Sequence, residues 1–352
     1  MSMRQIRIGD RIAGEGCKPF VIAEVGINHN GELENAYKMI RVAKESGADA
    51  VKFQTFKADE FIDDPELTFT YKSQGKDVTE SMLKMFRRYE FPNDKWPLIK
   101  ARCEEEGLIF LSTPQNRSDL DILLKIGIPA IKVGSDDFTN IPLLKSYAAA
   151  GLPMIISCGM ADLEEVRQAI AAIGALDGHP AVLMLCTSEY PTPPESANLL
   201  KLRTLSEAFP NVVMGYSDHT QGSLASALAV ALGASIFEKH FTLSHELPGP
   251  DHWFSEDPGG LKEWVSAIRK ASVMMGSGVV VPTAAESNIR KLARRSIVAI
   301  SDIRKGEAFS TGNIGLRRPG TGLPPSLYES ILGLQAKRDI NRRDLIRKED
   351  FA

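Results

Sequence analysis

Cysteine is scarce in this sequence and never paired. Cys17, Cys103, Cys158 and Cys186 are the only four in 352 residues, and no two stand in a CxxC arrangement. That excludes a thiolate zinc cluster and a dithiol redox motif. Reduced thiols in a cytoplasmic protein are expected instead. Cys158 and Cys186 lie in apolar runs, where a free thiol is ordinarily a small packing group. A surplus of one charge is also missing: 42 Lys and Arg against 45 Asp and Glu leave a formal net charge of -3. A general nucleic-acid binder needs a basic excess, so any anionic ligand must be held by local charges. No apolar run approaches the ~20 residues of a membrane span. The opening MSMRQIRIGDRI has no apolar h-region, so no secretory signal is expected. No GxGxxG follows the first strand-like run, which argues against a dinucleotide-binding open sheet.

What the sequence does contain is a rhythm. Apolar, β-branched runs recur at 20–26, 50–55, 108–114, 130–135, 153–159, 181–187, 212–219 and 236–242. Each is apolar on both faces for much of its length, as parallel strands covered by helices are. Amphipathic stretches lie between them. Residues 34–46 stop at Gly47, 163–172 and 223–232 read similarly, and 93–106 fits a helix capped by Asn93 and ended by Gly107. Eight β-then-α units over ~250 residues predict a (β/α)8 TIM barrel, an α/β fold. Two connections, 56–107 and 243–260, are too long for plain loops and read as lids. The barrel is expected over 1–278, a linker over 279–292, and a small β-rich domain over 293–352.

Barrel active sites gather where the strands end. Those positions here carry Glu24, Asn28 and His29, then Lys52 and Gln54, Ser112 and Thr113, Lys132 and Ser135, and Ser157. Further on come Thr187, Ser188 and Tyr190, then Ser217 and His219, and finally Glu238 and His240. Barrel interiors are filled mainly by Val, Ile and Leu, so polar groups at every strand end point to a site. Lys52 and Lys132, with nearby hydroxyls, suit a phosphate or a phosphorylated carboxylate; either lysine alone could equally be ion-paired with Glu24 or Glu238. His219 and His240 end neighbouring strands and are able to share one metal, leaving open positions for water and substrate. Asp251 and His252 are weaker metal candidates. Glu24, among apolar neighbours, is a candidate general acid or base.

The ordered segments FVIAEVGINHNGELENA, GADAVKFQT, FLSTP, IKVGS, CTSEYPTP, GYSDHT, GASIFEKHFT and LPGPDH resemble the sialic acid synthase family, the N-acetylneuraminate, legionaminate and pseudaminate synthases. From Arg294 onward, IRKGEAFSTGNI and RRPGTG resemble the small SAF (antifreeze-like) domain that follows the barrel in that family. The resemblance implies condensation of phosphoenolpyruvate (PEP) with an open-chain N-acetylated amino sugar, either N-acetylmannosamine or a 2,4-diacetamido-trideoxyhexose. Phosphate leaves by C–O cleavage and a nonulosonic acid forms. It also implies a divalent metal, Mn²⁺ or Mg²⁺, on His219 and His240. Glu24, Lys132 and Asp137 take catalytic places, and Lys52, Thr113, Lys132, Ser135, Ser157 and Ser217 contact PEP. Gln54, Ser188, Tyr190 and Asp251 face the sugar, and Arg318 reaches it from the partner in a domain-swapped homodimer. Two positions depart from the family: Asp136-Asp137 stand where Gly-Glu is common, and Ser188-Glu189 where some members carry an amide. A different acyl-amino sugar of pseudaminate or spore-coat type, or a carbohydrate-binding protein without catalysis, are the alternative readings.

Overall fold

The computed structural model describes residues 4–351. They form two compact units that divide between Gly276 and Ser277. The strands of the first unit are β1 (Gln5–Ile8), β2 (Arg11–Gly14), β3 (Phe20–Gly26), β4 (Ala50–Thr55), β5 (Thr68–Ser73), β6 (Lys76–Ser81), β7 (Ile109–Pro114), β8 (Ile131–Val133), β9 (Met154–Ser157), β10 (Ala181–Cys186), β11 (Val213–Ser217) and β12 (Ile236–His240). Eight of them form one parallel sheet in the order β7-β4-β3-β12-β11-β10-β9-β8. The last strand pairs with the first, His240 opposite Glu24, so the sheet curls into a nearly closed barrel with its seam between β7 and β8. Each apolar run expected to be a strand is one.

Side chains alternate across a strand, and that period of two builds the site. Phe20 and Ile22, Ala50, Leu111, Ile155, Val182 and Met184, Val213 and Ile236 share one interior cluster. The β1–β2 hairpin adds Ile6, Ile8 and Ala13 to it and closes the N-terminal end of the barrel. Two residues further along the same inward registers stand Glu24, Lys52, Thr113, Ser157, Cys186 and Glu238. The interior is thus apolar at one end and charged at the other. The outward set, Val21, Ala23, Val51 and Phe53 among them, packs against the helices.

The helices Leu33–Ser46 and Leu163–Ala172 fall where expected. Asn93 does not cap its helix: it opens a 3-10 turn, Asn93–Lys95, and the α-helix runs Trp96–Glu105, with Pro97 in its first turn. Pro97 fits there because a first-turn N–H has no intrahelical partner to lose. The 56–107 connection holds an antiparallel hairpin, β5 against β6. Gln74 and Gly75, both at positive φ, make its two-residue turn. No helix among the described residues is long and apolar enough to cross a membrane.

The second unit pairs β13 (Ser296–Ala299) antiparallel with β14 (Ile314–Arg317). Its core gathers Ile297, Ile303, Phe309, Ile314, Ile340 and Ile346. Much of the stretch read as a linker is a helix, Ala284–Ala293, nucleated by a capping box between Thr283 and Glu286. None of its residues is buried.

Candidate active site

The charged end of the barrel opens into a cavity of about 720 Å³. At its floor, two lysines and two glutamates are almost wholly buried. Lys52 Nζ lies 2.8 Å from Glu24 Oε2 and donates to Thr113 Oγ1 at 2.9 Å. Lys132 Nζ donates to Ser157 Oγ at 2.8 Å and to Val133 O at 2.9 Å. Glu238 Oε1 stands 3.8 Å from both ammonium groups, and Ser217 Oγ donates to it at 3.5 Å. The pairing suggested for the lysines is therefore real, and the lysines also line the cavity. Charges buried this deeply persist only when paired and hydrogen-bonded. Here the pairing satisfies Glu24 Oε2 through Lys52 but leaves Glu238 Oε2 without a hydrogen bond among the described residues.

Burial pushes the Glu24 carboxyl up to about 8, against the pull of Lys52. At Lys52, burial is outweighed by Glu238 and Glu24, which hold the ammonium above its ordinary value. At Lys132, burial prevails and lowers it. The floor thus combines a fixed cation, a lysine closer to neutrality and a carboxyl poised to exchange a proton.

His219 and His240 face one another beside this floor, with ring centroids 5.6 Å apart. His219 Nδ1 donates to Thr187 O at 2.7 Å, which leaves Nε2 as the nitrogen available to a ligand. Burial is outweighed there by Cys186 and by that carbonyl, which hold the ring above its usual range. His240 Nδ1 is buried with no hydrogen-bond partner. Burial, with His219 and both lysines nearby, holds the His240 imidazole well below its usual range, so it is neutral. An unpartnered neutral imidazole next to one fixed in the ligating tautomer fits a divalent cation. No group of three or more His, Cys, Asp or Glu suited to a metal occurs among the described residues. Two protein ligands would leave the other positions to water and substrate. Gly26, at φ +53°, borders the same spot: a Cβ there would meet His240, Asp251 and Glu24 at 3.4–3.5 Å.

The sugar-side candidates also converge. Gln54 Nε2 donates to Glu24 Oε1 at 3.5 Å, and Ser188, Tyr190 and Asp251 line the cavity. Asp251 Oδ2 is 3.9 Å from His240 Nδ1, and burial pushes its carboxyl up to about 6. Ser135 Oγ accepts from Gly159 N at 3.0 Å, in a cradle that a Cβ on Gly159 would fill. Asp137 is not among the residues lining the cavity and accepts from Asn140 Nδ2 at 3.0 Å. Asp136 lines it in its place. The turn after β8 decides this, because Asn140 caps the helix Ile141–Ala148 and holds the second aspartate. His252 is also away from the cavity, bound to Thr242 Oγ1 at 2.7 Å and to Asn30 Oδ1 at 3.1 Å. Arg318 belongs to the second unit and is exposed there.

Two inward groups escaped assignment as site residues. Glu238 is legible in the sequence as a polar strand end and a lysine partner, with no role of its own, and Cys186 as packing. Both stand two residues after an interior apolar residue, which is the signal that finds them. The β5–β6 hairpin contributes a second missed set, since Phe69, Tyr71 and Lys72 line the cavity mouth.

Comparison with known proteins agrees with this geometry. The NeuB family profile matches residues 39–280, and the SAF domain profile matches residues 294–352. An N,N'-diacetyllegionaminic acid synthase from Legionella pneumophila is 40% identical over 337 residues, covering 95% of this chain and 94% of its own. The spore coat polysaccharide biosynthesis protein SpsE of Bacillus subtilis is 40% identical over 359 residues, covering 96% and 95%. Among solved structures, the N-acetylneuraminic acid synthetase of Leptospira borgpetersenii superposes with a TM-score of 0.73 at 31% identity, over 82% of this chain and 95% of that one.

Proposed function

The chain belongs to the NeuB family, and on that premise we propose that it condenses PEP with a neutral, open-chain 2,4-diacetamido-trideoxyhexose to give a nonulosonic acid and phosphate. The observation that carries this reading is the buried floor, where Lys52, Lys132, Glu24 and Glu238 converge beside two facing histidines. PEP brings a phosphate and a carboxylate, and the two ammonium groups with Thr113, Ser157 and Ser217 supply the matching donors. C3 of PEP bonds to the aldehyde carbon, whose oxygen takes up a proton. A water oxygen bonds to C2 and gives up its protons as the ketone forms. The C2–O bond breaks, and phosphate departs with the bridging oxygen. Glu24 takes a proton from the water that adds at C2, and Lys52 holds the Glu24 carboxyl in place. His219 and His240 would hold a divalent cation, Mn²⁺ or Mg²⁺, which as a Lewis acid supplies polarisation of the acceptor aldehyde.

The choice of acceptor rests on the mouth. Beyond the charged floor the wall is formed by Phe61, Phe69, Tyr71, Met85, Phe86 and Phe254. Lys72, the one cation of that wall among the described residues, lies 5.0 Å over the Trp253 ring and is opposite Asp77 in the hairpin. Acetyl and deoxy methyl groups fit such a wall, whereas a sugar phosphate would lack free cations. Mass spectrometry of products formed from PEP and a panel of acceptors tests this. The diacetamido-trideoxy sugar is expected to give the highest kcat/KM, ahead of N-acetylmannosamine and its 6-phosphate. Preference for the phosphorylated sugar would overturn the acceptor, and absence of phosphate release with every acceptor would overturn the condensation.

The reading includes a swapped homodimer in which Arg318 serves the partner's sugar. Exposed Val279, Val280, Val281, Ile289 and Leu292 support a second subunit covering this stretch. Arg318→Ala is expected to weaken sugar affinity by about 1.5–3 kcal/mol, the range for a hydrogen bond from a charged group, with PEP affinity unchanged. Mixing Arg318→Ala with Glu24→Gln subunits should restore part of the activity, because each mixed dimer then holds one intact site. No recovery from verified mixed dimers would return the arginine to its own barrel.

A further inference from the structure

Behind the two cavity histidines, on the opposite face of the same strands, lies a buried polar chain with no place in the reaction described above. Asp218 and Lys239 each immediately precede a histidine, so alternation turns them outward, into the layer between barrel and helices. Asp218 is 0% and Lys239 3% exposed. Lys239 Nζ lies 3.3 Å from Asp218 Oδ2 and 3.5 Å from Glu256 Oε1, and it donates to Thr220 O. Asp218 Oδ1 accepts from Thr220 N at 2.9 Å and from Thr220 Oγ1 at 2.7 Å. Its Oδ2 accepts from Ser226 Oγ at 2.6 Å and from Trp264 Nε1 at 3.3 Å.

That layer is elsewhere largely apolar, with isolated polar contacts such as Thr55 against Ser112. A buried ion pair there is no better for stability than a hydrophobic pair of the same volume, so stability does not explain it. Direction does. Asp218 closes the turn that carries His219 at its centre, through its bonds to Thr220. Lys239 joins that turn to Glu256, and Glu256 joins it to the other histidine: Glu256 N donates to His240 O at 2.9 Å, and Glu256 O accepts from Thr242 N at 2.8 Å. Asp218 N also donates to Glu238 O at 2.8 Å, across the two strands. The segments carrying both rings are therefore tied from behind. In front, His240 Nδ1 has no partner.

We propose that the Asp218–Lys239–Glu256 chain is a positioning device that sets the separation and orientation of His219 and His240 for a shared divalent cation. The inference rests on the two-histidine metal reading above. With only two protein ligands, affinity depends on their being held in place before the ion arrives.

The test is Mn²⁺ titration of the full-length protein, followed by the EPR signal of the free ion, with PEP affinity measured alongside. Asp218→Asn combined with Lys239→Met removes both charges while keeping volume. It is expected to keep PEP affinity but weaken Mn²⁺ binding by about 10-fold or more, the scale on which outer partners of metal ligands act. Lys239→Arg, which keeps the charge, should bind Mn²⁺ nearly as the wild type does. Should the double variant fail to fold, Glu256→Gln loosens one tie and leaves the ion pair, and it is expected to show the same split. A folded double variant, or Glu256→Gln in its stead, that binds Mn²⁺ as tightly as wild type would overturn the inference. Wild-type protein that binds no Mn²⁺ would overturn the metal reading and this one with it.

Discussion

Glu24→Gln is expected to lower turnover by about 10²-fold or more, the usual size of a general acid–base contribution. The substitution keeps the shape of the side chain and removes its ability to ionise. Lys52 would still have Glu238 at 3.8 Å and Thr113 at 2.9 Å, so the floor keeps its remaining partners. The loss should therefore fall on kcat, with KM for PEP little changed. The pH profile supplies a second reading. Burial raises the Glu24 carboxyl from 4.5 to about 8 in the free protein, so its protonation changes near neutrality. The limb of kcat/KM near that pH, which reports the free enzyme, should vanish in the variant. Linkage gives the matching sign for stability. A carboxyl whose folded value is raised contributes stability below the unfolded value, and that contribution is lost as pH climbs from about 4.5 to about 8. Glu24→Gln should flatten that part of the stability curve. An unchanged rate would make Glu24 a structural partner of Lys52.

The barrel and the floor of its site were legible for one reason. A parallel strand covered on both faces is apolar at nearly every position, so a charge inside such a run stands out, and the end of the strand tells where it points. Glu24, Lys52, Lys132 and Glu238 all met that condition. Local chemistry stopped short elsewhere. Asp136 and Asp137 are adjacent and identical in type, and only the capping role of Asn140 determines which of them faces the cavity. The β5–β6 hairpin lay inside a long connection whose Gln74-Gly75 turn is a weaker signal than Asn-Gly or Asp-Gly. The ties behind the histidines are beyond any local pattern. Asp218 meets Trp264, 46 positions away in the chain, only because the barrel brings helix Pro258–Met275 beside helix Leu224–Ala231. The helix at Ala284–Ala293 carries Ile289 and Leu292 at helical spacing and a capping box. It follows a Gly- and Pro-punctuated stretch that reads as a linker, however, and its apolar residues stay exposed.

His240→Ala is expected to abolish turnover and to weaken divalent-metal binding by more than about 100-fold, since loss of an outer partner alone costs about 10–100-fold. The reasoning begins with the unsatisfied atom. A buried nitrogen without a partner is unfavourable by about 1–3 kcal/mol, and His240 Nδ1 is such an atom in a protein whose buried polar groups are otherwise mostly paired. A cation would relieve that penalty and would also add positive charge beside Glu238, whose Oε2 lacks a hydrogen bond among the described residues. Imidazole nitrogens completed by water and substrate oxygens suit Mn²⁺, and sites with few protein ligands release their metal readily. Dialysis against a chelator should therefore remove activity, and Mn²⁺ should restore it better than Zn²⁺. Affinity for Mn²⁺, measured directly on the His240→Ala protein, separates loss of the ion from damage to the barrel, because PEP binding to Lys52 and Lys132 should survive. Full turnover in a chelated, metal-free sample would show that the two rings serve the acceptor themselves, with His240 Nδ1 meeting a substrate oxygen in place of a cation.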